Sequence, residues 1–215
     1  MKRQTFMVTG IILLTTLGFI GCKKEDTKKD YNSILKNSVW TGEFNYTGAI
    51  PQPFSVEFKE GGQFTWFELS GEYTGSWKIE NDLLNVSFAT GSGFKAGISN
   101  DNKLMNIQNL PSNKWALVHA ELNSVADESL DLTTWTASNL KLNFKAGNKV
   151  DMELGPTGST KYKDISYIRK GRSLRYDVLG GAYKWFIVNN TKSVYKGINT
   201  FTGSDAIYPF DMTKN

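Results

Sequence analysis

Phe54-Ser55-Val56-Glu57-Phe58-Lys59-Glu60-Gly61-Gly62-Gln63-Phe64-Thr65-Trp66-Phe67-Glu68-Leu69 alternates apolar with polar residues on both sides of a glycine pair. Phe54, Val56 and Phe58 fall on one face of an extended chain and Ser55, Glu57 and Lys59 on the other, the period of a half-buried strand. Glu60-Gly61-Gly62 reverses the chain. In the return strand the apolar set switches from Phe64 and Trp66 to Phe67 and Leu69, and a β-bulge is expected at the switch.

The same period extends in both directions. Trp40, Gly42, Phe44 and Tyr46 alternate with Thr41, Glu43 and Asn45. Downstream, Gly75, Trp77 and Ile79 precede an Asn81-Asp82 turn, and Leu84, Val86 and Phe88 follow it. Further strands are expected over 94–99, 103–109 and 114–120, separated by Asn-Asp-Asn and Pro-Ser-Asn turns. Eight short strands joined by hairpin turns form a meander that can close on itself, and closure removes exposed edges.

The second half repeats this plan. Trp40 recurs as Trp135, Phe58 to Gly62 as Phe144 to Asn148, Trp77 as Tyr167, Gly97 to Asp101 as Phe186 to Asn190, and Trp115 near Ile207 and Tyr208. Offsets that wander by several residues suit a diverged duplication better than a solenoid of short units. The polar, acidic run 123–130 reads as a linker, which gives domains at 34–122 and 131–215. The fold class is thus all-β, two tandem small up-and-down barrels, with one larger barrel or sandwich as the alternative. Charge divides along the same line: 34–122 holds six lysines and nine acids, and 131–215 holds thirteen basic residues and seven acids. Halves of opposite sign suit modules that attract each other, or a basic half facing an anionic surface.

Ahead of the strands, Lys2 and Arg3 precede an uncharged stretch, 6–22, that closes on Gly21 and the chain's single cysteine, Cys22. Cations, a short apolar run and a small residue at its end form a secretion signal, expected at 1–21. An uncleaved anchor helix is the weaker alternative, because the run is marginal for a span. The hydrophilic stretch 22–33 reads as a flexible tether. Phe19-Ile20-Gly21-Cys22 resembles a lipobox, although Phe19 departs from the usual leucine. That resemblance implies lipidation of Cys22 by acyl chains such as palmitate, which leaves no thiol for a disulfide. Cys22-Lys23-Lys24-Glu25-Asp26 is similar to the export signals of Bacteroidetes surface lipoproteins. It implies a lipid anchor in the outer membrane at the cell surface, with the periplasmic face as the alternative.

Trp40-Thr41-Gly42, Phe58 to Gly62, Gly75-Ser76-Trp77 and Phe94 to Ile98 together resemble the lipocalin-like domains of Bacteroidetes lipoproteins. The likeness covers 38–120 and thins to fragments from 134 to 213, where Ala137 replaces the glycine after the opening Trp. It implies small barrels and an apolar pocket, and it carries no catalytic residue. A void lined by Trp40, Phe58, Trp77 and Phe88 is the form such a pocket is expected to take.

Catalytic, cofactor and metal roles find little support in the residues. His119 is the only histidine, which excludes multi-histidine metal sites, and no nucleophile elbow accompanies it. Asp151 and Glu153 share the face opposite Val150 and Met152, so they read as solvent-side acids. Asp127, Glu128 and Asp131 lack calcium-loop spacing. A carboxylate pair drawn from distant strands remains open. Lys161, Lys163, Arg169, Lys170, Arg172 and Arg175, interleaved with Tyr162, Tyr167 and Tyr176, read either as a surface for anions or glycans or as a solvated hairpin tip. The chain is expected to have no enzymatic activity, no cofactor and no nucleic-acid partner. It is expected to bind a small apolar or amphipathic ligand, or else to meet an envelope protein or glycan through its surface.

Overall fold

The computed structural model describes residues 29–125, 128–189, 194–204 and 206–215. The expected signal segment 1–21, Cys22, the tether through residue 28 and Asp127 of the expected linker lie outside these residues.

A one-turn helix, α1 (Tyr31–Leu35), opens the described chain. The Asp30 carboxylate caps it, accepting from the Asn32 and Ser33 amides at 3.1 and 3.3 Å, as a side-chain oxygen at an N-cap does. Leu35 is fully buried, and Tyr31 and Ile34 pack against the first core. The tether expected to reach Ser33 is therefore shorter, because Ile34 and Leu35 draw this turn onto the end of the barrel.

Eight strands follow: β1 (Ser38–Tyr46), β2 (Gln52–Phe58), β3 (Gln63–Glu68), β4 (Gly71–Glu80), β5 (Leu83–Phe88), β6 (Gly93–Ile98), β7 (Leu104–Asn109) and β8 (Trp115–Leu122). Each pairs antiparallel with its neighbour through β7, and β1 also pairs with β8. The β7–β8 seam is held by a bridge between Lys103 and Glu121. Beside it, the Leu122 N–H donates to the Asn102 carbonyl at 2.9 Å and the Leu117 N–H to Asn109 Oδ1 at 2.8 Å. The second set is β9 (Thr134–Ala137), β10 (Leu140–Lys145), β11 (Lys149–Leu154), β12 (Thr160–Lys170), β13 (Ser173–Val178), β14 (Tyr183–Asn189), β15 (Val194–Phe201) and β16 (Tyr208–Lys214). It closes completely, β16 returning to β9. The protein is thus two eight-stranded antiparallel up-and-down barrels in tandem, and among the described residues no ladder joins one sheet to the other.

The repeated residues occupy matching strands. Trp40 on β1 and Trp135 on β9 are 0 % and 3 % exposed. The Trp40 indole donates to Ser38 Oγ at 2.9 Å, and that hydroxyl donates to the Leu35 carbonyl at 2.5 Å. The Trp135 indole likewise donates to Thr133 Oγ1 at 3.1 Å, whose hydroxyl donates to the Leu130 carbonyl at 2.5 Å. Asn37 and Leu132, each just before the hydroxyl residue, share a left-handed backbone with φ of 55° and 61°. The replaced glycine follows from pairing. Gly42 lies opposite Ala120 of β8, and a Cβ on it would stand 2.0 Å from the His119 carbonyl oxygen. Ala137 lies beyond the two paired positions of β9 and β16, where that collision does not arise.

The bulge expected in β3 is absent. Its register is unbroken against β2 and β4, from Gln63↔Ser76 to Glu68↔Gly71. The apolar switch instead marks a strand buried on both faces. Phe64 and Trp66 point into the first barrel, while Phe67 and Leu69 form a separate cluster with Phe186, Val188 and Ile198 of the second. Around this apolar contact Lys170 pairs with Glu72 at 3.2 Å and Lys196 with Glu43 at 3.6 Å. The segment read as a polar linker also joins the barrels: Asn123, 9 % exposed, donates to Thr41 Oγ1 at 3.3 Å and to the Asn189 carbonyl at 2.7 Å. A short connection between two surfaces that bury apolar area leaves its own polar groups to be satisfied inside the junction.

Candidate functional site

The cavity of about 190 Å³ at the mouth of the first barrel is built from positions on five strands. Phe44 and Tyr46 come from β1, Trp66 and Glu68 from β3, Tyr73 from β4 and Phe88 from β5. Trp115 at the start of β8 and the turn residues Thr90 and Ser92 complete the wall. The rings pack edge to face: Phe44 lies 5.6 Å from Trp66, Trp66 5.6 Å from Phe88, and Phe88 5.5 Å from Trp115 between centroids. Offset and perpendicular packing of this kind fixes ring orientation without filling space completely.

Glu68 is the charged member of this wall and is 1 % exposed. It ends β3 at the tight turn Leu69-Ser70, where its carboxylate accepts from the Ser70 amide at 3.0 Å and from the Ser70 hydroxyl. Ser70 Oγ also lies 2.9 Å from the Tyr73 hydroxyl. Burial pushes the Glu68 carboxyl above its ordinary value. The Ser70 hydrogen bonds and the nearby Arg175 charge pull the other way. At the rim the Tyr46 hydroxyl is pushed up to about 12 by burial, by the Glu68 charge and by Tyr73. No lysine, arginine or histidine among the described residues lines the cavity.

The void expected around Trp40, Phe58, Trp77 and Phe88 lies elsewhere. Trp40 and Phe58 are fully buried, 6.3 Å apart, and Phe58 packs 5.8 Å from Trp77. They fill the end that α1 covers, and only Phe88 of the four reaches the cavity. The second interior is filled by Leu142, Met152, Tyr176 and Trp185, with Tyr176 and Trp185 stacked at 5.8 Å.

The basic cluster divides. Lys161, Lys163 and Arg175 line an open groove of about 620 Å³ between β12 and β13, with Tyr162, Tyr167 and Asp177. The groove exists because the β12–β13 ladder runs only from Tyr167↔Tyr176 to Lys170↔Ser173. Below it β12 is irregular opposite β11, with Asp164 in a left-handed backbone at φ 55°. Arg169, Lys170 and Arg172 sit at the other end, where the hairpin tip meets its surroundings instead of standing in solvent. Arg169 donates to the Glu128 carbonyl at 2.8 Å, Lys170 pairs with Glu72, and a Cβ on Gly171 would lie 3.3 Å from Val39.

The remaining candidates are dispersed. His119 is exposed, its Nδ1 3.8 Å from Glu43 on the outer face of the first barrel. Asp151 shares Lys145 with Asp164, at 2.8 and 2.9 Å, and the hydrogen bond from Lys145 holds the Asp151 carboxyl below its usual range. Glu153 faces Lys141 and Lys161 at 4.0 and 3.8 Å. Glu128 is exposed and its carbonyl receives Arg169, while Asp131 lies at the exposed turn before β9. Glu68 had a readable signal: alternation places it on the face of Phe64 and Trp66. No family model, curated protein or solved structure matches this chain.

Proposed function

We propose that this chain is a membrane-anchored extracytoplasmic lipoprotein without enzymatic activity, whose first barrel binds a small apolar or amphipathic ligand at its mouth. The reading of Cys22 as a lipidation site in the outer membrane rests on the sequence. The ligand reading rests on one observation, the aromatic cavity walled by Phe44, Trp66, Phe88 and Trp115. Barrels of eight strands hold either packed side chains or one small ligand, and here the second interior is packed. A volume of about 190 Å³ lies below the roughly 300–1,000 Å³ of drug-sized sites, so the ligand is small or only its head enters.

Native mass spectrometry of the full chain from its own host tests this. A reproducible added mass, lost on denaturation and absent from a Thr90→Trp variant whose new ring fills the cavity, is the expected result. A bare mass overturns the ligand reading. It favours a second one, contact with an envelope protein or anionic glycan, which the groove of Lys161, Lys163 and Arg175 supports.

A further inference from the structure

We propose that Glu68 makes the mouth of the first barrel a site for a small organic cation, a quaternary ammonium or protonated amine held between the carboxylate and the aromatic wall that includes Trp66 and Trp115. The inference rests on the ligand reading above and narrows its chemistry.

Four observations carry it. Glu68 is 1 % exposed yet lines the cavity, on the same strand face as Phe64 and Trp66. Its hydrogen-bond partners at the turn, the Ser70 amide and hydroxyl, are neutral donors, the Arg175 charge acts on it without a hydrogen bond, and a buried charge without a direct ionic partner is costly. The nearest named cation is Arg175 of β13. Its guanidinium lies 5.9 Å from the Phe67 ring centroid, on the outer face of β3, and so stands outside the barrel interior. The walls are π surfaces, which attract a cation that has lost its water. A neutral apolar ligand would leave the carboxylate without a direct counter-charge, and an anion would be repelled by it. Burial raises the Glu68 carboxyl, which is the cost that a bound cation offsets.

The groups that face Glu68 are few. Tyr46 comes from β1, Tyr73 from β4, Ser70 from the β3–β4 turn and Arg175 from the second barrel. Burial holds the Glu68 carboxyl above its ordinary value. Cation affinity is therefore expected to climb with pH as the carboxyl ionises, above the ordinary carboxylate range.

Choline and its uncharged carbon isostere 3,3-dimethylbutan-1-ol, titrated against the full chain by calorimetry and tryptophan fluorescence, separate the possibilities. Choline is expected to bind at least about tenfold more tightly than the alcohol. Glu68→Gln is expected to bring the preference for choline over the alcohol down to about one, whatever it does to the alcohol's own affinity. Thermal unfolding of the variant confirms that it folds, and the pH dependence of choline binding to the unaltered chain provides a test that needs no variant. Equal binding of the two probes, or choline binding that ignores Glu68→Gln and pH, overturns the cation inference and leaves the apolar site standing. Binding of neither probe, with a bare mass in the native spectrum, overturns both.

Discussion

Phe67 of β3 and Phe186 of β14 meet edge to face, with ring centroids 5.3 Å apart and planes at 73°. Both side chains leave the outer surfaces of their own barrels, and both are buried, at 2 % and 0 % exposure. An isolated barrel would present either ring to water. Together with Leu69, Val188 and Ile198 they make a third apolar core that belongs to neither barrel.

Truncating this contact is expected to weaken both barrels at once. Phe186→Ala should cost about 3–5 kcal/mol, the usual range for a buried phenylalanine, read as the shift in a urea unfolding curve. Phe67→Ala should cost less when combined with it than alone, because the two rings are each other's partners. A native chain that unfolds in one step should show two transitions once the shared core is lost. Strict additivity of the two substitutions would contradict the coupling.

The paired tryptophan anchors make a second expectation. Ser38→Ala leaves the Trp40 indole N–H without the Ser38 oxygen that accepts it, and Thr133→Val does the same for Trp135. An orphaned buried donor costs about 1–3 kcal/mol, so each variant should lower the urea midpoint by a corresponding amount. The two costs should add, because each hydroxyl serves only its own barrel. Each hydroxyl change should cost less in a Trp40→Phe or Trp135→Phe background than in the unaltered chain, since the donor is then gone.

The strands were legible because alternation is a local property: all eight of the first half fall within a few residues of their expected limits. Duplication was legible for the same reason, through Trp40 and Trp135. Phe67 and Leu69 show where the reading stops. Their apolar phase is plain in the sequence, but a bulge and a second burial partner leave the same mark, and the partner is about 120 residues away on β14. The cavity was anticipated in kind and misplaced in position. Trp40, Phe58 and Trp77 are large aromatics on inward faces, and only the position of α1 decides which end of the barrel they plug. Glu68 passed unnoticed because it ends its strand beside a turn, where an acid ordinarily meets solvent. The groove between β12 and β13 depends on a ladder that stops early, which no residue type announces.

Glu68 also gives stability a definite dependence on pH. Burial raises its carboxyl above the ordinary value of 4.5, so across the interval from 4.5 upward to the folded value the folded chain holds a proton that the unfolded chain has released. Stability therefore falls as pH rises through that interval, is unpenalised below it, and carries the full cost of burying the charge above it. Asp101 and Asp151, whose carboxyls are lowered by Ser99 and Lys145 respectively, act with the opposite sign. Both lie on the surface of the barrels, and Glu68→Gln leaves them in place. Subtracting the melting temperatures of the unaltered chain from those of Glu68→Gln between pH 4 and 8 thus isolates one group. Glutamine loses an acceptor for Ser70, but that loss is the same at every pH and only offsets the curve. The difference is expected to rise in favour of the variant as pH increases. A flat difference, or one that turns toward the unaltered chain, would show that the carboxyl is not held in an environment that resists its ionisation.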